Sequence, residues 1–315
     1  MKQTYQTARE TAFAFSCQGD ELIGFIHEGD HNRQIGVLSL VAGGPQYRGG
    51  VGRQLLRLGR RLATEGITMM RFDHRGIGDS EGSYRGFLYI EDDIAAAVDE
   101  FRRRSPWITG IVLWGGCSAA TAALTHAHKI PAVVGIIACN PFVNSPAITA
   151  KATRNHYVSS LTKMAFWRKL IHGDYSLRDY LSQGRQMVSK KIGNGLNKSQ
   201  QTLPDGDNVS FIDELLIGLK RFDGKVLFLM GDSFLRSDEF DVLITSSPEW
   251  RATYAKNNHE RIDIQGGDQV FATLTAQERL FDAASAWLQR TFPAQLSNYI
   301  PTPHQDNDSS RACQS

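Results

Sequence analysis

The chain has 315 residues, 41% of them hydrophobic and 22% charged, and its 35 basic and 33 acidic residues leave a net charge of +2. That length accommodates one large α/β domain with an insertion, or two small domains. The near balance of charge gives no reason to expect nucleic acid or an acidic membrane as a partner. No run reaches the ~18 apolar residues of a membrane span, and the first residues lack a signal-peptide pattern. We therefore expect a cytoplasmic protein without a membrane span.

The first half of the chain alternates predicted strands with predicted helices. Residues 12–30 alternate apolar and polar side chains around QGDE, which predicts a β-hairpin. Four nearly continuous apolar strands follow, IGVLSLVAGG, ITMMRFD, GIVLW and AVVGIIACN, and helical patterns separate them. Apolar strands that alternate with amphipathic helices indicate a parallel sheet covered on both faces, the α/β class. Such a sheet binds ligands beyond the carboxyl ends of its strands.

The alternation stops after residue 143 and resumes near residue 223 with the strands KVLFLM and RIDIQ and the helix TAQERLFDAASAWLQRTF. We predict a core made of residues 1–143 and 223–293, with residues 144–222 inserted as a helical cap. Within the insertion, residues 189–208 are polar and rich in Gly, Asn and Lys, which favours a mobile loop. The polar residues 294–315 are predicted to form a disordered tail.

The four cysteines, Cys17, Cys117, Cys139 and Cys313, lack the close spacing of metal ligands. A zinc site or a disulfide framework is therefore not expected, and the sequence predicts no metal and no other cofactor. A catalytic role for one of the cysteines remains open.

The stretch IVLWGGCSAATAAL, residues 111–124, predicts a buried strand, a sharp turn and a helix start. This is the pattern of the nucleophile elbow, in which small residues surround a nucleophile held in strained backbone geometry. Two registers fit, since either Cys117 or Ser118 can be the central residue. The first glycine of such a turn normally follows the last strand residue directly. Here that residue is Trp114, which favours Cys117 as the nucleophile.

Two further loops flank the predicted elbow. GGPQYRGG, residues 43–50, follows an earlier strand at the place of an oxyanion loop. Backbone N–H groups of Gly44 and Ser118 are the expected oxyanion donors, with Gln46 as a further substrate-binding residue, whereas Pro45 has no N–H.

The other loop is FDHRGIGDSEG, residues 72–82, and it matches the pattern D-x-R-G-x-G-x-S found after the preceding strand in many α/β hydrolases. We expect Asp73, Arg75 and Ser80 to brace the loops rather than to do chemistry.

Several segments in order, among them GGPQYRGGVGR, FDHRGIGDSEG, LWGGCSAATAAL and HYVSSLTKMAFWRKL, resemble the α/β hydrolases associated with the exosortase A system, type 1. The resemblance covers roughly residues 38–288. It implies an α/β-hydrolase fold with a mostly parallel doubly wound sheet, an inserted helical cap and action on an acyl compound. That family carries a cysteine at the elbow, and Cys117 falls on it.

The sequence departs from this family at the catalytic base. Where the family has D-H-T-F, with histidine as the base, this chain reads GGDQVFA, with Gln269 in place of the histidine. Glutamine cannot take up a proton at any useful pH. The acid segment GDSFLRSDEFD is also irregular, and of its candidates Asp232, Asp238 and Asp241 the first has the best position.

Other histidines are candidates for a substitute base. His259 is predicted at the far end of its strand, and His126 and His128 lie beyond the first turns of the elbow helix. His74, after a strand, and His156, in the cap, remain as candidates, although surface exposure is the ordinary interpretation for both.

A cysteine can form a thiolate without a histidine, particularly at a helix N-terminus, whereas a serine without a base is nearly inert. Hydrolysis of an acyl-cysteine is harder, because the attacking water needs a general base. The sequence therefore predicts an acyltransferase or slow thioesterase that acts on an ester or thioester through acyl-Cys117. Its partner would be a small-molecule acyl substrate, either free or bound to a carrier protein or CoA. The alternatives are an ordinary ester or amide hydrolase with a substitute histidine and an inactive ligand-binding protein.

Overall fold

The computed structural model describes residues 9–41, 47–143, 208–232 and 235–293. The predicted tail, most of the predicted cap and the candidate residues Gly44, Gln46 and His156 lie outside these ranges.

Eight strands in the described residues form one sheet: β1 Glu10–Cys17, β2 Asp20–His27, β3 Ile35–Ser39, β4 Met69–Phe72, β5 Gly110–Gly116, β6 Val133–Cys139, β7 Lys225–Gly231 and β8 His259–Ile264. Their order across the sheet is β1-β2-β4-β3-β5-β6-β7-β8. Strand β2 is antiparallel to both of its neighbours, and the six strands from β3 to β8 run parallel to one another.

Seven α-helices are found in the same residues: α1 Gln54–Thr64, α2 Glu91–Arg104, α3 Ser118–His126, α4 Asn208–Arg221, α5 Leu235–Ile244, α6 Pro248–Tyr254 and α7 Leu274–Thr291. Short 3-10 helices span Val51–Arg53, Phe87–Tyr89 and Ala127–Lys129. None of the described helices is both long and apolar enough to cross a bilayer.

The predicted hairpin is confirmed as β1 and β2. Gln18 and Gly19 connect the strands with φ angles of 52° and 93°. Positive φ at both central residues is typical of the two-residue turns whose twist matches that of the strands they join. This antiparallel pair extends the parallel sheet at the edge beside β4.

Helices cover both faces of the sheet, as the apolar strands predict. Val37 of β3 packs on one face with buried residues of α1 and α7, such as Leu58 and Trp287. The next residue, Leu38, packs on the other face with buried residues of α2, α3 and α4. Val37 and Leu38 therefore belong to the hydrophobic cores on opposite faces of the sheet, because successive side chains of a strand point to opposite faces.

Helix α4 lies in the last part of the predicted cap segment and packs against α3. Its Phe211 and Leu215 are buried in the core that α3 also lines. Gly218 allows the close approach, since a Cβ atom there would lie 2.5 Å from the carbonyl oxygen of Leu124. Helix α4 therefore packs closely against the last turn of α3.

Candidate active site

Cys117 forms the turn between β5 and α3, with φ 56° and ψ −122°. A non-glycine residue in this region is strained and persists only where the surroundings enforce it. Ser118 is the first residue of α3. The residue at the strained position is therefore the cysteine, in agreement with the register that Trp114 favours.

Close packing of Gly115 enforces the turn. A Cβ atom at Gly115 would lie 2.5 Å from the carbonyl carbon and oxygen of Ala119, whereas one at Gly116 would meet nothing within 4 Å. A Cβ atom cannot stay at 2.5 Å from backbone atoms, so a side chain at residue 115 would push the strand and the helix apart. The register with Cys117 at its centre begins with Gly115, and Gly115 is also the glycine that packs closely against Ala119.

The last residue of β6 and the residues after it hold the backbone of Cys117 on both sides. The Cys117 N–H donates to the carbonyl of Cys139 at 2.9 Å, and the Phe142 N–H donates to the carbonyl of Cys117 at 3.2 Å. Thr121 adds a hydrogen bond from its hydroxyl to the Phe142 carbonyl at 2.7 Å. The turn at Cys117 and the end of β6 are thus one hydrogen-bonded unit.

Gln269 contacts the thiol of Cys117. Its Nε2 lies 3.7 Å from the Cys117 Sγ, within the range of an N–H···S hydrogen bond. The loop after β8 carries Gln269, and the Asp268 carboxylate shapes this loop by accepting from the N–H groups of Val270 and Ala272 at 3.1 and 2.9 Å. Among the described residues, the side chain at hydrogen-bond distance from this thiol is an amide and not a histidine.

Asn140, which our sequence analysis does not single out, fastens the same loop. It is 1% exposed and follows β6 with φ 45°. Its Nδ2 donates to the carbonyls of Asp268 and Gln269 at 3.0 and 3.1 Å. Its Oδ1 accepts from the Gly231 N–H at 2.8 Å. The only sequence signal is a polar residue directly after an apolar strand, in the stretch ACNP.

The candidate acids lie near the end of β7. Asp232 is exposed, and its Oδ1 accepts from the Gly266 N–H at 2.8 Å, which braces the turn after β8. Asp241 in α5 pairs with Arg261. Asp238 is also in α5. Asp232 therefore supports the loop that carries Gln269 through that loop's backbone.

The described histidines have other partners. His74 is buried, so the expectation of surface exposure is wrong for this residue. Its Nε2 lies 3.1 Å from the Val41 carbonyl, its ring stacks on Tyr84, and burial lowers the pKa of its imidazole. His126 and His128 contact the carbonyls of Leu88 and Thr125. His259 begins β8, at the opposite edge of the sheet as predicted, and burial lowers its pKa to about 4.

The loop after β4 is held by buried charges. The Asp73 carboxylate, which is fully buried, pairs with the Arg48 guanidinium. Arg75 binds the buried Asp93 carboxylate through Nη2 at 3.0 Å. The Ser80 hydroxyl donates to the Asp73 carbonyl at 2.6 Å. These contacts agree with the predicted bracing role of the D-x-R-G-x-G-x-S loop.

A mostly apolar cavity of about 50 Å³ opens beside Cys117 and Gln269, and its lining includes Val41, Leu55, Trp114 and Phe271. The Ser118 N–H is in the first turn of α3, where backbone N–H groups have no acceptor within the helix. It is thus available to an oxyanion next to the thiol. In the described part of the chain, no cluster of three or more His, Cys, Asp or Glu residues could hold a metal ion.

The profile of the family described as "Serine aminopeptidase, S33" matches residues 48–203. Among solved structures, an esterase from Pyrococcus furiosus is similar, with a TM-score of 0.59 and 14% identity over 90% of this chain and 93% of that chain. An α/β hydrolase from Penicillium sp. sh18 has a TM-score of 0.59 and 16% identity, covering 90% and 99% of the two chains. A serine hydrolase without a lid from Xanthomonas campestris has a TM-score of 0.53 and 14% identity, covering 91% and 97%. No curated protein matches the sequence.

The matches span nine-tenths of this chain and nearly all of each solved structure. They agree with the parallel sheet and the helices on both of its faces. The chain therefore has the α/β-hydrolase fold.

Proposed function

We propose that this protein is an acyltransferase or slow thioesterase that works through an acyl-Cys117 intermediate. The observation that carries the proposal is the contact between the Gln269 Nε2 and the Cys117 Sγ at 3.7 Å. It places a hydrogen-bond donor that cannot act as a base beside a thiol in a nucleophile turn. The cysteine at the elbow of the exosortase-associated hydrolases supports the same role for Cys117.

In the first step, the Cys117 thiolate attacks the carbonyl carbon of a thioester or activated ester. A C–S bond forms, negative charge develops on the carbonyl oxygen, and the bond to the leaving group then breaks. The Gln269 Nε2 lies within hydrogen-bond distance of the attacking Sγ, and Cys117 directly precedes the first residue of α3. Ser118 N–H, with Gly44 as its partner, would stabilise the oxyanion. The leaving thiolate or activated alkoxide needs no proton from a strong acid.

In the second step, an acceptor attacks the acyl-Cys117 carbonyl and the thiolate leaves. Water is a poor acceptor here, because it must lose a proton and Gln269 cannot take one. A thiolate carries no such proton, and an amine is a far better nucleophile than water. The acyl group therefore stays on Cys117 until such an acceptor arrives.

The cavity suggests what the acyl group is like. Its lining beside Cys117 is largely aliphatic and aromatic, which suits an apolar acyl group. A donor bound to CoA or to a carrier protein would fit thioester chemistry and a cytoplasmic location. The predicted cap with His156, and Gln46 in the oxyanion loop, would complete the substrate site, and Asp232 would keep the Gln269 loop in place.

Intact-protein mass spectrometry after incubation with acetyl- and butyryl-CoA tests the proposal. We expect an acyl adduct on the wild-type chain and on a Cys17→Ala variant, which removes a buried cysteine of β1. Cys117→Ala should show no adduct, and peptide mapping should place the acyl group on Cys117 rather than on Cys139. An adduct that persists in Cys117→Ala, or the absence of any adduct with these donors and with nitrophenyl esters, would overturn the proposal.

A further inference from the structure

Asn140 occupies a position that few other residues could fill. It is buried, and its φ of 45° lies in the left-handed region. Asparagine enters that region more readily than most residues. Its amide has one oxygen acceptor and two N–H donors, and the contacts use both ends of the group. The oxygen accepts from Gly231, and the nitrogen donates to Asp268 and Gln269.

The chemistry of these partners selects an amide. Two of them are carbonyl oxygens and require donors, while the third is an N–H and requires an acceptor. An aspartate has the same shape but would direct a carboxylate oxygen at the two carbonyls. When two buried acceptors face each other with no N–H or O–H between them, no hydrogen bond forms, and the desolvation of both groups is left uncompensated.

The residues beside Asn140 hold the nucleophile. Cys139 accepts from the Cys117 N–H, and Phe142 donates to the Cys117 carbonyl. Residues 139–142 thus bind the backbone of Cys117 on one side and, through the Asn140 side chain, the backbone of Gln269 on the other. Gly231 adds the end of β7 to the same unit.

We propose that Asn140 is a positioning residue that sets the contact between the Gln269 amide and the Cys117 thiol. The inference rests on the proposed function, because it assigns Asn140 a part in tuning the nucleophile. Asn140 touches neither the thiol nor the acyl group in this account. It fixes the backbone of the 268–272 loop so that the Gln269 Nε2 points at Sγ. Once that fixation is lost, the amide no longer donates to Sγ.

The test is a double-mutant cycle that uses Asn140→Asp and Gln269→Ala. Its readout is the rate at which iodoacetamide alkylates Cys117 between pH 6 and pH 9, followed by mass spectrometry of the tryptic peptide. We expect Asn140→Asp to slow alkylation about tenfold at pH 7 when Gln269 is present, and to have little effect in the Gln269→Ala background. If Asn140→Asp slows alkylation by the same factor whether or not Gln269→Ala is also present, the proposal is overturned.

The matched control is Asn258→Asp. Asn258 is half-buried, and its Nδ2 donates to the Gly224 carbonyl at 2.6 Å before β7, at the opposite edge of the sheet. This variant loses a similar bond to a carbonyl, and its alkylation rate should remain that of wild type. If Asn140→Asp does not fold, Asn140→Gly tolerates the positive φ, removes the amide without adding a charge, and completes the same cycle.

Alkylation needs no acyl chemistry, so the two proposals can fail separately. Coupling between Asn140 and Gln269 without any acyl adduct would support the positioning role and overturn the acyl-transfer function. If the acyl adduct forms but the Asn140 and Gln269 substitutions act independently on alkylation, the acyl-transfer function is supported and the positioning role is overturned.

Discussion

The loop after β4 and the turn after β5 both lie at the carboxyl edge of the sheet, yet they are stabilised in opposite ways. The first is held by buried ion pairs, Asp73 with Arg48 and Arg75 with Asp93. The second is held by backbone hydrogen bonds and by the close packing of Gly115 on Ala119. In the loop after β4, which we call the bracing loop, the charged side chains form ion pairs that hold the loop in its conformation. In the turn, the backbone sets the shape, so the Cys117 and Gln269 side chains are free to meet.

The largest expected effect is on the bracing loop. Asp73→Asn removes one charge of a buried pair and should lower the free energy of unfolding by about 3–5 kcal/mol. Asp79→Asn is the matched control, since its carboxylate pairs with the same Arg48 at 2.8 Å but is 70% exposed, and it should cost less than about 1 kcal/mol. Urea denaturation measures both values. Equal losses for the two variants would contradict the bracing role of the buried pair.

The next effect concerns Cys117 and Gln269. Gln269→His places a general base beside the thiol and should speed hydrolysis of acyl-Cys117 about 100-fold. The decay of the adduct, followed by intact-mass spectrometry, measures the rate. Gln269→Ala is the control and should not speed the decay. If the histidine variant decays as slowly as wild type, the missing base is not what preserves the acyl group.

A pair of glycine substitutions tests how the turn is held. Gly115→Ala forces a Cβ atom against Ala119 at 2.5 Å and should cost about 1–3 kcal/mol of stability, with a loss of Cys117 reactivity. Gly116→Ala meets no atom within 4 Å and should be tolerated. Thermal unfolding and thiol alkylation measure the two variants. The opposite order would favour the register with Ser118 at the centre of the turn.

The smallest effect lies away from the site. Burial and the neighbouring Arg71 lower the pKa of His27 from 6.5 to about 4, although Glu10 acts in the other direction. The unfolded chain therefore binds the proton more tightly, and stability is lost as the pH falls from about 6.5 towards 4. Between pH 7 and 5.5 this histidine should account for a loss of about 1 kcal/mol. Urea denaturation at both pH values should show that the free energy of unfolding falls by about 1 kcal/mol less in His27→Gln than in wild type. The same fall in both proteins would contradict the lowered pKa of His27.

The order of the central elements could be predicted because strands β3 to β7 are apolar and buried almost throughout, on both faces of the sheet. Helix α5 could not be predicted from the sequence, because its apolar residues do not lie on one face of the helix. The register at Cys117 could be predicted from the glycine after Trp114, because the packing that selects that glycine is local in sequence.

The partners of Cys117 depend on contacts that are distant in sequence. The position of Gln269 came from a resemblance to a family, and the 3.7 Å contact with Cys117 agrees with it. Asn140 carries no such signal, because its side chain binds residues 91, 128 and 129 positions further along the chain. Only the folded sheet brings the ends of β6, β7 and β8 together.

Under the proposed function, Cys117 accepts an acyl group quickly and passes it to water slowly. Stopped-flow measurement of nitrophenolate release from nitrophenyl butyrate tests it most directly. We predict a burst of about one nitrophenolate per chain, followed by slow steady turnover that a small thiol acceptor accelerates. Linear release from the start at the same rate in wild type and Cys117→Ala would contradict it.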